Sequence, residues 1–168
     1  PRNLPKELPL MLELLHAGSL IVDDIQDGSS MRRGAPALHE LYGVPLALNT
    51  GNWLYFAASS LIDELELACG VKLELSRRVR SAVLRCHHGQ ALDLSVHVST
   101  LQPAEIPGIV TTTTELKTAA LVELAAMLGA IAAGGRSDHV DALARFGREL
   151  GIALVEVRRE LPVRQGDE

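Results

Sequence analysis

Residues 8–27 read LPLMLELLHAGSLIVDDIQD, a mostly apolar segment that ends in three aspartates. Its large apolar side chains recur at three- and four-residue steps, at Leu8, Met11, Leu12, Leu15, Leu20 and Ile21. That spacing is typical of one face of an α-helix. Pro5 precedes the stretch and Gly28-Ser29-Ser30 follows it, so the sequence predicts a helix that begins after Pro5 and ends near Asp27.

The same helical spacing continues along most of the chain. Leucine and alanine, both strong helix formers, supply 29 and 20 of the 168 residues. Threonines 111–114 weaken helix formation where they stand, because β-branched side chains lose rotamer freedom in a helix. We expect further helices from Pro45 to about Cys69, from Lys72 to about His97, and over 140–157 after a cap at Ser137. Between the last two, a helix that is weak at its start, over Pro107 and Thr111–Thr114, should strengthen from Glu115 and end near Ala133. The prediction is an all-α bundle in a single domain covering residues 1–168.

Charge and composition exclude several classes of protein. A net charge of −5 argues against general binding to nucleic acid or to anionic membranes. Two cysteines are too few for a disulfide scaffold and suit a reducing compartment. The apolar stretch 8–22 is interrupted by Glu13 and His16 and is too short to span a bilayer. These features predict a soluble, cytoplasmic protein, and the start at Pro1 suggests that the chain is part of a longer one.

Three aspartates close the first predicted helix. Asp23 and Asp27 are four residues apart and therefore share a helix face, and Asp24 can join them. Three carboxylates at a helix C-terminus repel one another and face the negative end of the helix dipole. The cluster is either a solvated acidic helix end or the site of a hard cation such as Mg²⁺. A calcium loop starting at Asp23 is excluded because Ile25 stands at its third position.

Arg32 and Arg33 follow this cluster by five and six residues. They could simply form ion pairs with the aspartates. Alternatively, the guanidinium fork suits phosphate oxygens, and phosphate would complete the ligand set of a carboxylate-bound metal. Carboxylates, metal and arginines together predict a diphosphate site.

The run LIVDDIQDGSSMRRGAPALH, residues 20–39, resembles the first aspartate-rich motif of the trans-isoprenyl diphosphate synthase family. The segment GQALDL, residues 89–94, is similar to that family's GQxxDL segment, and Lys117-Thr118 to its lysine-threonine pair at a helix break. FGRELG, residues 146–151, resembles the approach to its second aspartate-rich motif. The family implies a helical bundle of the isoprenoid synthase type with a central apolar cavity, and a homodimer.

The resemblance also implies a reaction and its residues. A Mg²⁺-dependent prenyltransferase would ionise an allylic diphosphate and add isopentenyl diphosphate to it. Asp23, Asp24 and Asp27 would hold Mg²⁺, and Arg32 and Lys117 would complete the catalytic set by holding the allylic diphosphate. The remaining substrate-binding residues would be His16 and Arg33 for isopentenyl diphosphate, and Gln90 and Asp93 along the pocket. Asp93 would lie near Lys117 or a metal-bound water, and Thr118 near the reacting carbons.

Product length depends on the residues just before the aspartates, by analogy with the family. Gly18 and Ser19 are both small, so nothing bulky blocks a growing chain there, and we expect a product of C20 or longer. Trp53, Tyr55 and Phe56 would belong to the core, to a dimer interface or to the pocket floor.

Two departures from the family pattern leave alternatives open. Arg158-Arg159-Glu160-Leu161-Pro162 stands where the second aspartate-rich motif is expected, and Pro162 should end the helix. The family's glycine-lysine-arginine segment is absent before Leu4. Either segments are missing, which we favour, or the protein is a non-catalytic partner subunit of a synthase. A class I terpene cyclase is the other alternative. We assign no zinc to Cys86, His87 and His88, and no hydrolase triad.

Overall fold

The structure is a computed structural model that describes residues 4–160, apart from the side chains of Val98 and of residues 158–160. By their internal contacts these residues form two compact units, which we call the N-terminal unit (residues 6–65) and the C-terminal unit (residues 66–160). Apart from one two-stranded hairpin, both are built from helices, and the predicted all-α class is confirmed. No helix in the described part of the chain combines the length and hydropathy that a membrane span requires.

The N-terminal unit contains three helices and the hairpin. Its elements are α1 (Glu7–Asp27), β1 (Met31–Arg32), β2 (Ala35–Pro36), α2 (Leu38–Tyr42) and α3 (Val44–Glu64). α1 has the predicted bounds. It ends at Gly28, whose left-handed φ of 65° lets its N–H bond to the carbonyl of Asp24.

α1 packs against α3 through a narrow strip of small and apolar residues. Leu8, Met11, Leu15 and Gly18 are buried at the spacing of one helix face. A Cβ atom on Gly18 would lie 2.9 Å from the carbonyl oxygen of Gly51, so the two helices cross with their backbones in contact. Only glycine permits that distance.

The C-terminal unit is helical throughout. Its elements are α4 (Cys69–Ser95), a 3₁₀ turn (Val98–Thr100), α5 (Ile106–Thr114), a π-helical turn (Glu115–Ala119), α6 (Ala120–Ala132) and α7 (Ser137–Glu160). We call Glu115–Ala119 the π-turn. The buried side chains of this unit include Leu75, Val79, Leu124 and Leu128, and they form its core.

Three predicted boundaries are wrong. α3 ends at Glu64 rather than near Cys69, and α4 begins at Cys69 rather than Lys72. The break lies over 65–68, where the backbone leaves helical geometry with ψ of 135° at Leu65 and 143° at Ala68. Gly70 is tolerated in the first turn of α4, where its N–H needs no helical partner. Glu115, where we expected a regular helix to strengthen, begins the π-turn instead. Pro162, with its predicted helix end, lies outside the described residues.

Candidate functional site

The C-terminal turn of α1 carries the three predicted aspartates at different depths. The side chain of Asp24 is buried, with 5% of its surface exposed, whereas that of Asp23 is 24% exposed and Asp27 lies at the surface. A buried carboxylate requires a positive or hydrogen-bonding partner. The helix therefore places one aspartate inside the unit and presents the other two toward its surface.

Arg32 is the partner of the buried aspartate. Its Nε donates a 2.8 Å hydrogen bond to Oδ1 of Asp24, and its Nη2 donates to the same oxygen. Nη2 also lies 3.7 Å from Oδ2 of Asp23. The hydrogen bond to Asp24, together with the charges of the nearby aspartates, raises the pKa of Arg32 above its ordinary value. Arg32 therefore forms ion pairs with Asp23 and Asp24, which is one of the two roles that the sequence predicts for it beside phosphate binding.

A short hairpin places Arg32 on the aspartates. β1 and β2 pair antiparallel, with Arg32 opposite Ala35, so Arg33 and Gly34 form a two-residue turn. Both have positive φ, 53° and 77°, which is the geometry of a type I′ turn. Arginine is an unfavourable residue for that conformation, and such local strain is concentrated at functional sites. The turn leaves the side chain of Arg33 exposed.

The carboxylate oxygens at the end of α1 suit a hard divalent cation, although the described side chains do not form one metal-binding cluster. Within residues 4–160, no three carboxylate, imidazole or thiol side chains stand close enough together to hold a metal ion. Oδ1 of Asp24 accepts both Arg32 hydrogen bonds, and the assignment of Mg²⁺ to Asp23, Asp24 and Asp27 stays a prediction. Asp23 and Asp27, one helical turn apart, retain the carboxylate chemistry that Mg²⁺ prefers.

The other predicted residues of α1 lie further from its C-terminus. His16 is half-buried two turns before Asp23, and its carbonyl accepts a 2.7 Å hydrogen bond from the hydroxyl of Ser19. Gly18 is buried against Gly51. A side chain at position 18 would thus meet backbone of α3 rather than open space, which makes Ser19 the position where the chain-length prediction can be tested.

In the C-terminal unit the π-turn carries Lys117 and Thr118. The Nζ of Lys117 donates a 2.6 Å hydrogen bond to Oδ2 of Asp93 on α4, so the structure places these two residues in contact. Gln90, one turn before Asp93, is half-buried, as is Thr118. Single π-turns within α-helices occur frequently at functional sites. The resemblance pointed to a break at Lys117-Thr118, and the π-turn is the form that it takes.

Two glycines of the matched motifs have a structural reason that the sequence analysis missed. A Cβ on Gly89 would lie 2.6 Å from Cβ of Leu116 and 2.9 Å from the backbone nitrogen of Lys117. A Cβ on Gly151 would lie 2.6 Å from Cα of Ala119. Glycine at these positions therefore allows α4 and α7 to touch the backbone of the π-turn. Glycines in a helical pattern without a turn are the sequence signal for such a crossing.

Cys86 is a half-buried neighbour of the same turn. Its thiol donates a 3.8 Å hydrogen bond to the carbonyl of Lys117. Burial raises the pKa of this thiol to about 11, against the opposing charge of Arg85, so it stays protonated at neutral pH. The neighbouring His87 bonds through Nδ1 to the Val83 carbonyl. Both contacts join side chains to backbone carbonyls within the C-terminal unit, which is a structural role.

A separate cavity of about 350 Å³ lies where α4 and α7 begin. Glu74 and Arg78 line it, and they form an ion pair of 2.7 Å. Asp93 is 19 residues beyond Glu74, roughly 28 Å along the helix axis. The cavity is therefore remote from Lys117, and the central apolar cavity implied by the resemblance stays a prediction.

Comparison with known proteins now decides the family. The polyprenyl synthetase family model matches residues 3–154. The chain belongs to the polyprenyl synthetase family. A short chain isoprenyl diphosphate synthase of Methanothermobacter thermautotrophicus is 38% identical over 147 residues, which are 85% of this chain and 43% of that protein.

Solved structures give the same result. Geranylgeranyl pyrophosphate synthetase from Pyrococcus horikoshii superposes with a TM-score of 0.81 at 30% identity, over 89% of this chain and 45% of that one. Polyprenyl synthase from Caulobacter crescentus, complexed with calcium and isoprenyl diphosphate, gives 0.79 at 28% identity, over 91% and 44%. The matched part of the chain spans between 19% and 43% of the length of these curated relatives and between 44% and 60% of these solved structures.

Proposed function

We propose that this polyprenyl synthetase is a Mg²⁺-dependent prenyltransferase that condenses isopentenyl diphosphate with an allylic diphosphate. The observation that carries the proposal is the arrangement at the end of α1, where Arg32 binds Asp24 beside the outward-facing Asp23 and Asp27. Cations and metal-binding carboxylates side by side are what a departing diphosphate requires. The match to the polyprenyl synthetase family supports this reaction over other reactions of diphosphate substrates.

The candidate site residues of the N-terminal unit have separate roles in this proposal. Asp23 and Asp27 would hold the metal, which neutralises charge on the diphosphate when it is bound. Asp24 orients Arg32, whose remaining N–H groups would bind the allylic diphosphate. Arg33, exposed at the tip of the hairpin, and His16 would bind isopentenyl diphosphate.

The C-terminal unit carries a candidate cation of its own. The ammonium of Lys117 donates a 2.6 Å hydrogen bond to Asp93 and would bind a phosphate oxygen of the allylic substrate. Thr118, next along the π-turn, would face the reacting carbons, and Gln90 would line the pocket. The metal assignment to Mg²⁺ rests on the oxygen-only donors of the site, and the calcium-bound relative from Caulobacter supports a divalent cation.

Assembly and compartment are part of the same proposal. Trp53 and Phe56 of α3 are 63% and 76% exposed, so the alternative that they belong to the core of this chain is wrong. Their exposure supports an interface role in a homodimer, because large aromatic side chains are enriched at such interfaces. We place the dimer in the cytoplasm, as the free thiols of Cys69 and Cys86 favour.

The proposed reaction predicts metal-dependent elongation. Incubation with Mg²⁺, labelled isopentenyl diphosphate and allylic primers of increasing length should yield longer trans-prenyl diphosphates, and EDTA should abolish them. Cyclised hydrocarbon would indicate a terpene cyclase instead. Lack of either product from the chain, together with stimulation of an active synthase, would indicate a partner subunit. Either result contradicts the proposal.

The product length of C20 or more predicts the effect of filling position 19. Ser19→Phe should shorten the main product by at least one five-carbon unit, because the ring would occupy the path along α1. Ser19→Ala, which removes only the hydrogen bond to the His16 carbonyl, is the matched control and should leave the product unchanged. Chromatography of the dephosphorylated products measures both. An unchanged chain length in Ser19→Phe would contradict the assignment.

A further inference from the structure

Both ends of the π-turn are attached to α7. At its first residue, Oε1 of Glu115 forms a 2.8 Å ion pair with Nη2 of Arg148. At its last residue, the backbone of Ala119 lies against Gly151. Arg148 and Gly151 are three residues apart and so lie on one face of α7. This face thus spans the turn that carries Lys117.

The span matters because a π-turn is less stable than an α-helix of the same residues. It contains one residue more than a regular turn, and π-helical hydrogen bonds are rarely adopted in proteins. Relaxation to α-helical geometry would rotate the following residues by about 100° for each residue of register. Lys117 would then turn away from Asp93, unless its neighbours hold the ends of the turn in place.

We propose that Arg148 is a positioning residue that holds the π-turn through Glu115 and so keeps Lys117 directed toward its diphosphate. Its role in binding rests on the proposed function, whereas its effect on the turn does not. Hydrogen bonding to Glu115 also raises the pKa of Arg148, so the guanidinium stays charged throughout the working pH range. The motif FGRELG thus combines two glycines that approach the backbone with an arginine that binds the turn.

A second ion pair provides a matched control. Nη1 of Arg85 on α4 binds Oε2 of Glu123 on α6 at 2.9 Å, with similar exposure and outside the π-turn. The test compares Arg148→Ala, Arg148→Lys and Glu115→Gln with Arg85→Ala in the full chain. The measurements are hydrogen exchange of the amides of residues 115–119, the Kd for inorganic pyrophosphate, KM and kcat with the allylic primer, and Tm.

In Arg148→Ala and Glu115→Gln we expect faster hydrogen exchange over the π-turn and a two- to fivefold rise in Kd and KM, with kcat unchanged. A rise of this size corresponds to the loss of one half-exposed ion pair. Arg148→Lys should keep most of the wild-type affinity for pyrophosphate and for the allylic primer. Arg85→Ala should lower Tm to a similar degree without these effects. Unchanged exchange in Arg148→Ala, or the same changes in Arg85→Ala, would overturn the inference. Failure of the wild-type chain to elongate would contradict the proposed function alone, because exchange is measured without substrate.

Discussion

Asp23→Asn is expected to lower the rate of chain elongation by about a hundred- to a thousandfold while leaving the fold intact. Asparagine keeps the size of the side chain but removes the negative charge that would bind the metal. Asp23 is partly exposed at the negative end of α1. Relief of carboxylate crowding and loss of the 3.7 Å ion pair with Arg32 oppose each other, so the free energy of unfolding should change by less than about 1 kcal/mol.

Asp24→Asn is the matched comparison because the chemical change is the same at the next residue. Asp24 is buried and accepts two hydrogen bonds from Arg32, so its loss should cost about 1–3 kcal/mol of stability in addition to activity. Urea unfolding and the Mg²⁺ dependence of the rate separate the two effects. A stable, fully active Asp23→Asn variant would contradict metal binding at Asp23. A fully stable Asp24→Asn variant would contradict the structural role of its ion pair with Arg32.

The parts that could be predicted from sequence depend on local chemistry. The bounds of α1 follow from its apolar spacing and from the glycine that ends it, and both are read within one segment. The contact between Lys117 and Asp93 joins residues 24 positions apart, and it was reached only through a resemblance to a family. Periodicity alone carries no information about which helices cross.

The parts that were missed depend on tertiary contacts. The hairpin of residues 31–36 is too short to show an alternating pattern, and its arginine stands where asparagine or glycine would indicate the turn. The π-turn at Glu115 leaves the apolar pattern on both sides intact, so it cannot be distinguished from a regular helix in the sequence. The burial of Asp24 and its ion pair with Arg32 are likewise tertiary features that spacing along the helix does not reveal.

Gly89→Ala tests whether the approach of α4 to the π-turn positions Lys117. An added Cβ would meet the backbone nitrogen of Lys117 at 2.9 Å and Cβ of Leu116 at 2.6 Å, so the helices must separate. We expect a loss of about 1–3 kcal/mol in the free energy of unfolding and weaker binding of pyrophosphate.

Gly129→Ala in α6 makes the same change where nothing lies within 4 Å, and it should instead stabilise the chain by about 0.5–1 kcal/mol through helix propensity alone. Urea midpoints at equal m-values compare the two variants. Opposite signs would establish that contact with the π-turn, rather than helix propensity, determines the need for glycine at position 89. Stabilisation in both variants would show that α4 can separate from the turn without cost, and that the lysine is positioned by its ion pair with Asp93 alone.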